Sequence, residues 1–401
     1  MTNFTGNFTQ QEPLPEAAID AALRVMRHGR LHRYNVVEGE QSETAALEVE
    51  FAAKVGSKYC LAVASGGYAL AAALRALGVK PGEKVLTNAF TLAPVPGAIA
   101  NVGAEPVFVE VTDDLVMDLA DLEAKIATSD AKVLMLSHMR GHICDMDRLM
   151  AICDAAGVSV VEDCAHTMGA AWGGVQSGRH GIVGCYSTQT FKHINSGEGG
   201  LIVTDDAELM ARTIMLSGSY MLYERHEAAP EPEVFETIRL ETPNCSGRMD
   251  NLRAAILRPQ LADLDRQAER WNALYQRMDA GLAATPGLRL IPRPAAEAYV
   301  MSSFQFLCPD FSGDQMEAIV ARCAARGVEL KWFGADQPKG FTSRHDSWQY
   351  APAQSLPQTD KVLAGLLDMR LPLTFSLADI DTITAIIREE VGAVHQLGAV
   401  A

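Results

Sequence analysis

Long apolar runs are missing from this 401-residue chain: no window approaches the ~18 uninterrupted apolar residues that a membrane-crossing helix needs, so no span is expected. The opening, MTNFTGNFTQQEPLPEAA, lacks a basic segment followed by an apolar one, which argues against a secretory signal. Positive charge is scarce: 34 Lys and Arg against 50 Asp and Glu give a formal charge of −16. A nucleic-acid partner is therefore disfavoured, because a phosphate backbone is held by surplus basic residues. The eight cysteines, at 60, 144, 153, 164, 185, 245, 308 and 323, show no C-x-x-C spacing and no histidine cluster to complete a zinc site. They read as reduced, mostly buried thiols of a cytoplasmic protein, and no metal is expected. Also absent are a G-x-x-x-x-G-K-[ST] loop and a strand-linked G-x-G-x-x-G, so ATPase and dinucleotide readings lose their support.

What is present is an ordinary globular composition, 48% hydrophobic and 21% charged. The length allows a large core and predicts one large and one smaller domain, taken as residues 1–250, with an N-terminal arm, and 251–401. Strand and helix patterns alternate for roughly two hundred residues, which implies a mostly parallel central sheet with helices on both faces, an α/β fold. Helices are predicted over 15–27, 43–55, 65–77, 119–126, 147–156 and 207–217, strands over 59–64, 107–111, 132–136, 158–161 and 201–204, and a strand and turn over 84–93. The Glu- and Pro-rich stretch 224–241 reads as an exposed loop, and 250–280 as one long helix leading into the smaller, C-terminal α+β domain. In that domain, strands at 302–308 and 327–331 flank a helix at 315–326. The segment 371–376 reads as a closing strand before a helix at 378–391, and 340–350 as a substrate-facing loop.

Two places concentrate chemistry. After the strand ending at Ala64, Ser65-Gly66-Gly67-Tyr68 opens a helix, and free backbone amides with the helix dipole make such a turn an anion site. The second is Val158 to Gly200, VSVVEDCAHTMGAAWGGVQSGRHGIVGCYSTQTFKHINSGEGG. It places the acidic pair Glu162-Asp163 at the exit of a buried strand, where open α/β sheets put their ligands. Ser187, Lys192 and a glycine-rich turn, Gly197-Glu198-Gly199-Gly200, follow. One carboxylate, one hydroxyl and one amine at a sheet edge suit pyridoxal 5'-phosphate, which needs an amine for a Schiff base, a carboxylate for its pyridine nitrogen and donors around its phosphate.

The pattern ED-x-AH, then S-x-x-x-x-K, then GEGG resembles the DegT/StrS-type sugar aminotransferases, fold type I pyridoxal-phosphate enzymes. The resemblance covers most of the chain and is strongest from Gly56 to Gly200. It implies Lys192 as the Schiff-base lysine, Asp163 as the pyridinium partner and Ser187 as a phosphate-binding serine. The family's S-G-T-x-A-L turn is Ser65-Gly66-Gly67-Tyr68-Ala69-Leu70 here, with Gly67 in place of the threonine and the amides of Gly67 and Tyr68 left to serve the phosphate. The ring that stacks on the pyridine falls on Leu92. His166 stands at a glutamine position beside the cofactor's phenolic oxygen. Asn244 and Arg248 fall in a segment like the family's N-x-R-M, whose asparagine crosses a dimer interface; Asn244 lies four residues before Arg248 rather than two, and Ser246 holds the matching place. A homodimer with sites at its interface is thus implied. Arg140 replaces an apolar or aromatic residue and, with His193, Glu198 and Arg248, is a candidate for substrate contact.

Each of these residues has a plainer reading. Asp163 alone is a common helix cap, Ser187 a strand-end hydroxyl, and a lysine after an aromatic residue usually a solvated charge. His166 and His138 also read as buried structural histidines, Glu198 as a loop anchor and Arg248 as an interface brace. Met210, Met215 and Met221 read as core filler. The resemblance implies transfer of an amino group from an amino acid, expected to be L-glutamate, to a keto-sugar or related polyhydroxylated carbonyl. A sugar dehydratase of the same fold carries histidine where Lys192 stands, and a non-catalytic binder of the fold is the other alternative. Arg140 points to an acidic acceptor, since a guanidinium pairs with a carboxylate at two points.

Overall fold

The structure, a computed structural model, describes residues 2–400. Its strands, in chain order, are β1 (Tyr59–Val63), β2 (Lys84–Asn88), β3 (Glu105–Val109), β4 (Val133–Ser137), β5 (Ser159–Asp163), β6 (Ala171–Trp172) and β7 (Val175–Gln176), followed by β8 (Val183–Ser187) and β9 (Gly200–Thr204). The remainder are β10 (Arg289–Leu290), β11 (Glu297–Ala298), β12 (Ser303–Leu307), β13 (Lys331–Trp332) and β14 (Leu366–Arg370).

A seven-stranded sheet in the order β1-β9-β8-β5-β4-β2-β3 forms the centre. Pairing is parallel from β8 through β5, β4 and β2 to β3, and antiparallel where β9 meets β8 and β1. The central strands are apolar almost throughout because helices cover both faces. Helix Gly66–Ala76 and helix Ala207–Ser217 pack on one face with Val85, Met135, Val161 and Ile202. On the other, Leu86, Leu134 and Val160 meet Leu122 and Leu149. Most of the helices on this sheet start at a side-chain cap, with Ser42, Ser65, Asp118, Asp145 and Asp206 each accepting a first-turn N–H.

The second sheet is antiparallel, in the order β10-β12-β14-β13, and packs against helices Gly313–Ala325 and Leu377–Val400. Phe4 and Phe8 pack into this same apolar cluster: the Phe4 and Phe375 rings meet edge to face at 5.0 Å, as do Phe8 and Phe375. Among the described residues, no helix is long and apolar enough to cross a membrane.

Several elements differ from the sequence reading. The stretch 224–241 is not simply an exposed loop: it contains the short helix Pro232–Phe235, buries Phe235 and Ile238, and stacks Phe235 on Tyr223 at 4.3 Å. The long helix predicted over 250–280 is two helices, Asn251–Ala262 and Leu264–Leu282; Pro259 near the end of the first removes a backbone donor, and the chain turns at Asp263. The closing strand is β14 at 366–370, and 371–376 forms the turn after it. Of the strand predicted over 327–331 only Lys331 is paired, in the two-residue β13, Lys331–Trp332. A helix at Pro94–Asn101 follows β2, started by a proline in its first turn. All eight cysteines are unpaired, and Cys245 alone among them is exposed. Met210 and Met215 are buried, whereas Met221 faces solvent.

Candidate active site

Parallel strands end together, so the last residues of β2, β4, β5 and β8, which are Asn88, Ser137, Asp163 and Ser187, share one edge of the sheet. Ser137, Asp163 and Ser187 line a cavity of about 490 Å³, together with Ser65, Gly66, Gly67, His166 and Lys192. The carboxylate of Asp163 accepts hydrogen bonds from Ser137 Oγ at 3.0 Å and the Ala165 N–H at 3.2 Å. Burial pushes its pKa upward, while Lys192 and the hydrogen bonds pull in the opposite direction. Its neighbour Glu162 points to the other face of the strand, where it accepts from the N–H groups of Gly178, His180 and Gly181 and meets His138 Nε2 at 3.0 Å. Glu162, His138 and Cys164 are close enough to resemble a ligand set. The carboxylate oxygens are already occupied by these backbone donors, and His138 is a buried brace beneath the site.

Lys192 follows β8 across a turn in which its own N–H donates to the Gln189 carbonyl at 2.8 Å. Its Nζ lies 2.9 Å from His166 Nε2. Burial, opposed by Asp163 and reinforced by Arg140 and Arg370, lowers the lysine pKa to about 7. The same burial, with Lys192 beside it, holds His166 well below the usual histidine range. A neutral imidazole and an amine that is half deprotonated at neutral pH therefore share a hydrogen bond. A dry amine at this poise is a nucleophile for a carbonyl.

At the other end of the cavity, Ser65 caps helix Gly66–Ala76 with its side chain, which accepts from the Tyr68 N–H. A Cβ on Gly66 would stand 2.8 Å from Ser187 Cβ, so the missing side chain lets the helix N-terminus and the Ser187 hydroxyl lie against each other. Together they form an anion cradle. A phosphorylated pyridine aldehyde fits these residues: an amine for its carbonyl, a carboxylate across the cavity and a phosphate cradle at one end.

The other predicted positions divide. Leu92 lines the cavity, and Phe90 does not: it is fully buried against Phe333, at 5.2 Å, on the far side of the turn. Glu198 lies at the exposed mouth. Tyr68 is a correction, since its N–H is taken by Ser65 and its hydroxyl donates to the Leu216 carbonyl. Asn244 accepts from Ser246 and lies outside this chain's cavity, as does Arg248, which donates to the Gly218 carbonyl at 2.8 Å. His193 is turned to a second, smaller cavity beside Gln11 and Trp271, with neither ring nitrogen hydrogen-bonded, and burial drives its pKa down to about 3. Its expected contact with substrate is thus not made from this side of the turn.

Arg140 also departs from expectation. It lines the cavity, but its Nη2 donates to Asp368 Oδ2 at 2.8 Å inside the protein, and Gln305 Nε2 completes the carboxylate at 2.7 Å. The pair is almost wholly buried, so Arg140 is already neutralised and is not the free receptor the sequence suggested. Sequence reasoning missed Ser137, Trp271, Phe191 and Arg370, all of which line the cavity. For Arg370 a signal existed: the alternation of Asp368 and Arg370 with Leu367 and Met369 marks a strand with a polar face.

A lysine held over a carboxylate at the C-terminal edge of a mostly parallel sheet, beside a helix-end cradle, is the plan of the fold type I pyridoxal-phosphate transferases. Residues 16–388 match the DegT/DnrJ/EryC1/StrS aminotransferase family, and the chain belongs to it. It is 30% identical over 341 residues to the L-glutamine:2-deoxy-scyllo-inosose aminotransferase of Streptoalloteichus tenebrarius, which covers 84% of this chain and 78% of that one. It is 30% identical to a putative L-glutamine:3-amino-2,3-dideoxy-scyllo-inosose aminotransferase of Micromonospora echinospora, where the match spans 70% of this chain and 66% of the relative. Among solved structures, S. venezuelae DesV in complex with a ketimine intermediate superposes with a TM-score of 0.78 at 28% identity, covering 93% of each chain. The protein is an aminotransferase.

Proposed function

We propose that the protein moves an amino group from an amino acid of the glutamate or glutamine kind to a keto-sugar or related polyhydroxylated carbonyl, using pyridoxal 5'-phosphate held through Lys192. The observation that carries this reading is the Lys192 amine, lowered to about 7 by burial and 2.9 Å from His166 at the sheet edge that holds Asp163. When bound, the cofactor supplies the electron sink for the carbanion formed at the donor's α-carbon. The chain's residues do the rest. Lys192 Nζ moves the proton, first as base and then as acid. Asp163 opposes the positive charge of the pyridine nitrogen, Ser137 and the Ala165 amide orient that carboxylate, and Ser187 with the Gly66 and Gly67 turn receives the phosphate. Leu92 supplies an apolar face where relatives of the family use a ring.

The names of the two curated relatives support a cyclic polyol carbonyl as acceptor and an amino acid as donor. In this reading residues 1–250 and 251–401 act as two working units, and two chains associate so that Asn244 and Arg248, outside their own chain's cavity, serve the partner's. The unpaired cysteines support a reducing, cytoplasmic setting. Lys192 at the reactive position speaks against a dehydratase.

The test is spectroscopic. Purified protein loaded with pyridoxal phosphate, mixed with L-glutamate or L-glutamine, is expected to lose the aldehyde-form absorbance and gain that of the pyridoxamine form. A panel of neutral and acidic keto-sugars then identifies the acceptor by return of the first spectrum. Lys192→Ala should abolish both changes, and a Lys192→Ala protein that still turned over would remove the assignment.

A further inference from the structure

Lys192 lines two cavities at once. On one side lies the large cavity with Asp163 and Ser187, and on the other a smaller one of about 80 Å³. The smaller space is framed by the segment 11–15, by the break between helices Asn251–Ala262 and Leu264–Leu282, and by the turn that carries His193 and Asn195. Of the two neighbours in that turn, Lys192 reaches both cavities and His193 only the small one.

His193 is the unsatisfied group of this second space. It is 6% exposed, yet neither ring nitrogen has a hydrogen-bond partner among the described residues. The rest of the wall is engaged. Gln260 exchanges hydrogen bonds with the Asn195 backbone at 3.0 and 2.8 Å, and Trp271 Nε1 donates to the Leu371 carbonyl at 3.0 Å. At the outer end Glu12 pairs with Arg270 and Asp263 with Arg266, each at 2.6 Å. Trp271 meets the imidazole edge to face at 5.1 Å, which fixes the plane of the ring. Burial and the adjacent Lys192 keep that ring uncharged, so it offers one N–H donor and one acceptor.

A buried imidazole with both nitrogens unpaired is costly unless water reaches it. A buried water needs about 10–15 Å³ of such space and roughly two to four polar partners. The small cavity has the room and the partners, and the side chains of Glu12 and Asp263, 36% and 30% accessible, open it to solvent. Substrate enters the large cavity and displaces solvent from that side of Lys192. The small cavity remains behind the lysine, out of the ligand's way.

We propose that the small cavity is a hydrated proton path, in which water anchored by His193 exchanges the proton of Lys192 with solvent from the side away from substrate. The inference rests on the aminotransferase reading of the neighbouring cavity and makes His193 a positioning residue for water. The step is an exchange: an N–H bond of the Lys192 ammonium breaks as a water O–H bond forms, and a different water proton returns to the same nitrogen. No electrons are transferred and the net charge is unaltered. A proton that Lys192 takes from the donor's α-carbon is thereby mixed with solvent before it is delivered onward.

Two measurements test this. In the first, cofactor-loaded native protein, His193→Leu and His193→Gln each perform one half-reaction in ordinary water with L-glutamate or L-glutamine, whichever converts the spectrum, deuterated at the α-carbon. Mass spectrometry then reads the deuterium carried by the pyridoxamine phosphate. The native protein is expected to wash most of the label out. His193→Leu should raise the ratio of retained to lost label by about tenfold, the rate equivalent of one lost hydrogen bond. His193→Gln, which restores a donor and an acceptor, should bring the ratio back toward the native one. Only molecules that react contribute to this ratio, so a partly misfolded variant does not imitate the effect. In the second measurement, a high-resolution crystal structure of the native cofactor-free protein should show water within hydrogen-bonding distance of a His193 nitrogen. A dry cavity there, or equal label retention in the native protein and His193→Leu, overturns the proposal. Failure of the native protein to change spectrum with any amino donor would instead count against the aminotransferase reading, and the crystallographic measurement would still decide whether His193 holds water.

Discussion

The Nζ of Lys192 lies 2.9 Å from Nε2 of His166, and burial lowers the pKa of both groups, so the reactive amine rests against an uncharged ring rather than against a competing cation. This contact sets the pH behaviour expected of the site.

Capture of added pyridoxal phosphate by cofactor-free protein should accelerate with pH around 7 and level off above it, because only the neutral amine attacks the aldehyde. A lysine at the ordinary value of 10.5 would still be gaining rate at pH 9. Stopped-flow absorbance across pH 5.5 to 9.5 measures the midpoint. The linked stability effect has a definite sign. The folded value lies below the unfolded one, so between about 7 and 10.5 the unfolded chain binds a proton the folded chain has lost. Folding stability from this residue therefore rises with pH across that window.

Asp163→Asn removes the charge that faces the pyridine nitrogen while keeping a hydrogen-bonding side chain at the end of β5. Turnover is expected to fall by about 100-fold, the scale for one group that stabilises charge developing in a dry site. Cofactor-free protein should not lose stability, because burial already disfavours this carboxylate. Steady-state assays and thermal unfolding together separate the two effects.

Gly66 and Gly67 make a matched pair. A Cβ on Gly66 meets Ser187 Cβ at 2.8 Å, whereas one on Gly67 finds nothing nearer than Pro94 Cβ at 4.0 Å. Gly66→Ala should weaken cofactor binding by about tenfold or more, about 1.4 kcal/mol. Gly67→Ala should bind nearly as the native protein does. Fluorescence titration with pyridoxal phosphate ranks them, and equal affinities would show that the Ser187 contact does not shape the cradle.

The Arg140–Asp368 pair is almost wholly buried and joins the two sheets. Removing one partner strands the other, which costs about 3–5 kcal/mol for buried pairs, whereas replacing both by apolar residues of similar size is often tolerated. Arg140→Met is accordingly expected to lower the denaturation midpoint strongly, and Arg140→Met with Asp368→Leu to recover much of it. Guanidinium unfolding of the single and double variants supplies the cycle.

The large sheet was legible because its strands are short apolar runs punctuated by glycine turns and capped helices, signals that local chemistry writes directly. Lys192, Asp163 and Ser187 could be named because their spacing matches a known family. Arg140 was misread for a physical reason: its partner, Asp368, lies in β14, and sequence gives no distance between segments so far apart. The same holds for Arg370, which packs against Phe191 and Phe341 from distant parts of the chain. Phe235 and Ile238 were hidden by the Glu and Pro around them, since composition averages over the two apolar side chains that anchor the segment. The break at Asp263 is a single-residue event inside an otherwise continuous helical pattern.

Phe4 and Phe8, packed edge to face on Phe375, bear on how the molecule comes to be assembled. Both rings precede Phe375 by most of the described chain, so on the ribosome they emerge well before their aromatic neighbour and must wait, solvated, until it exists. The small sheet's core is then sealed by a long-range closure, the kind of contact that slows folding. Docking of the Phe4 and Phe8 segment should thus come late in folding, after the elements that carry Phe375 are in place.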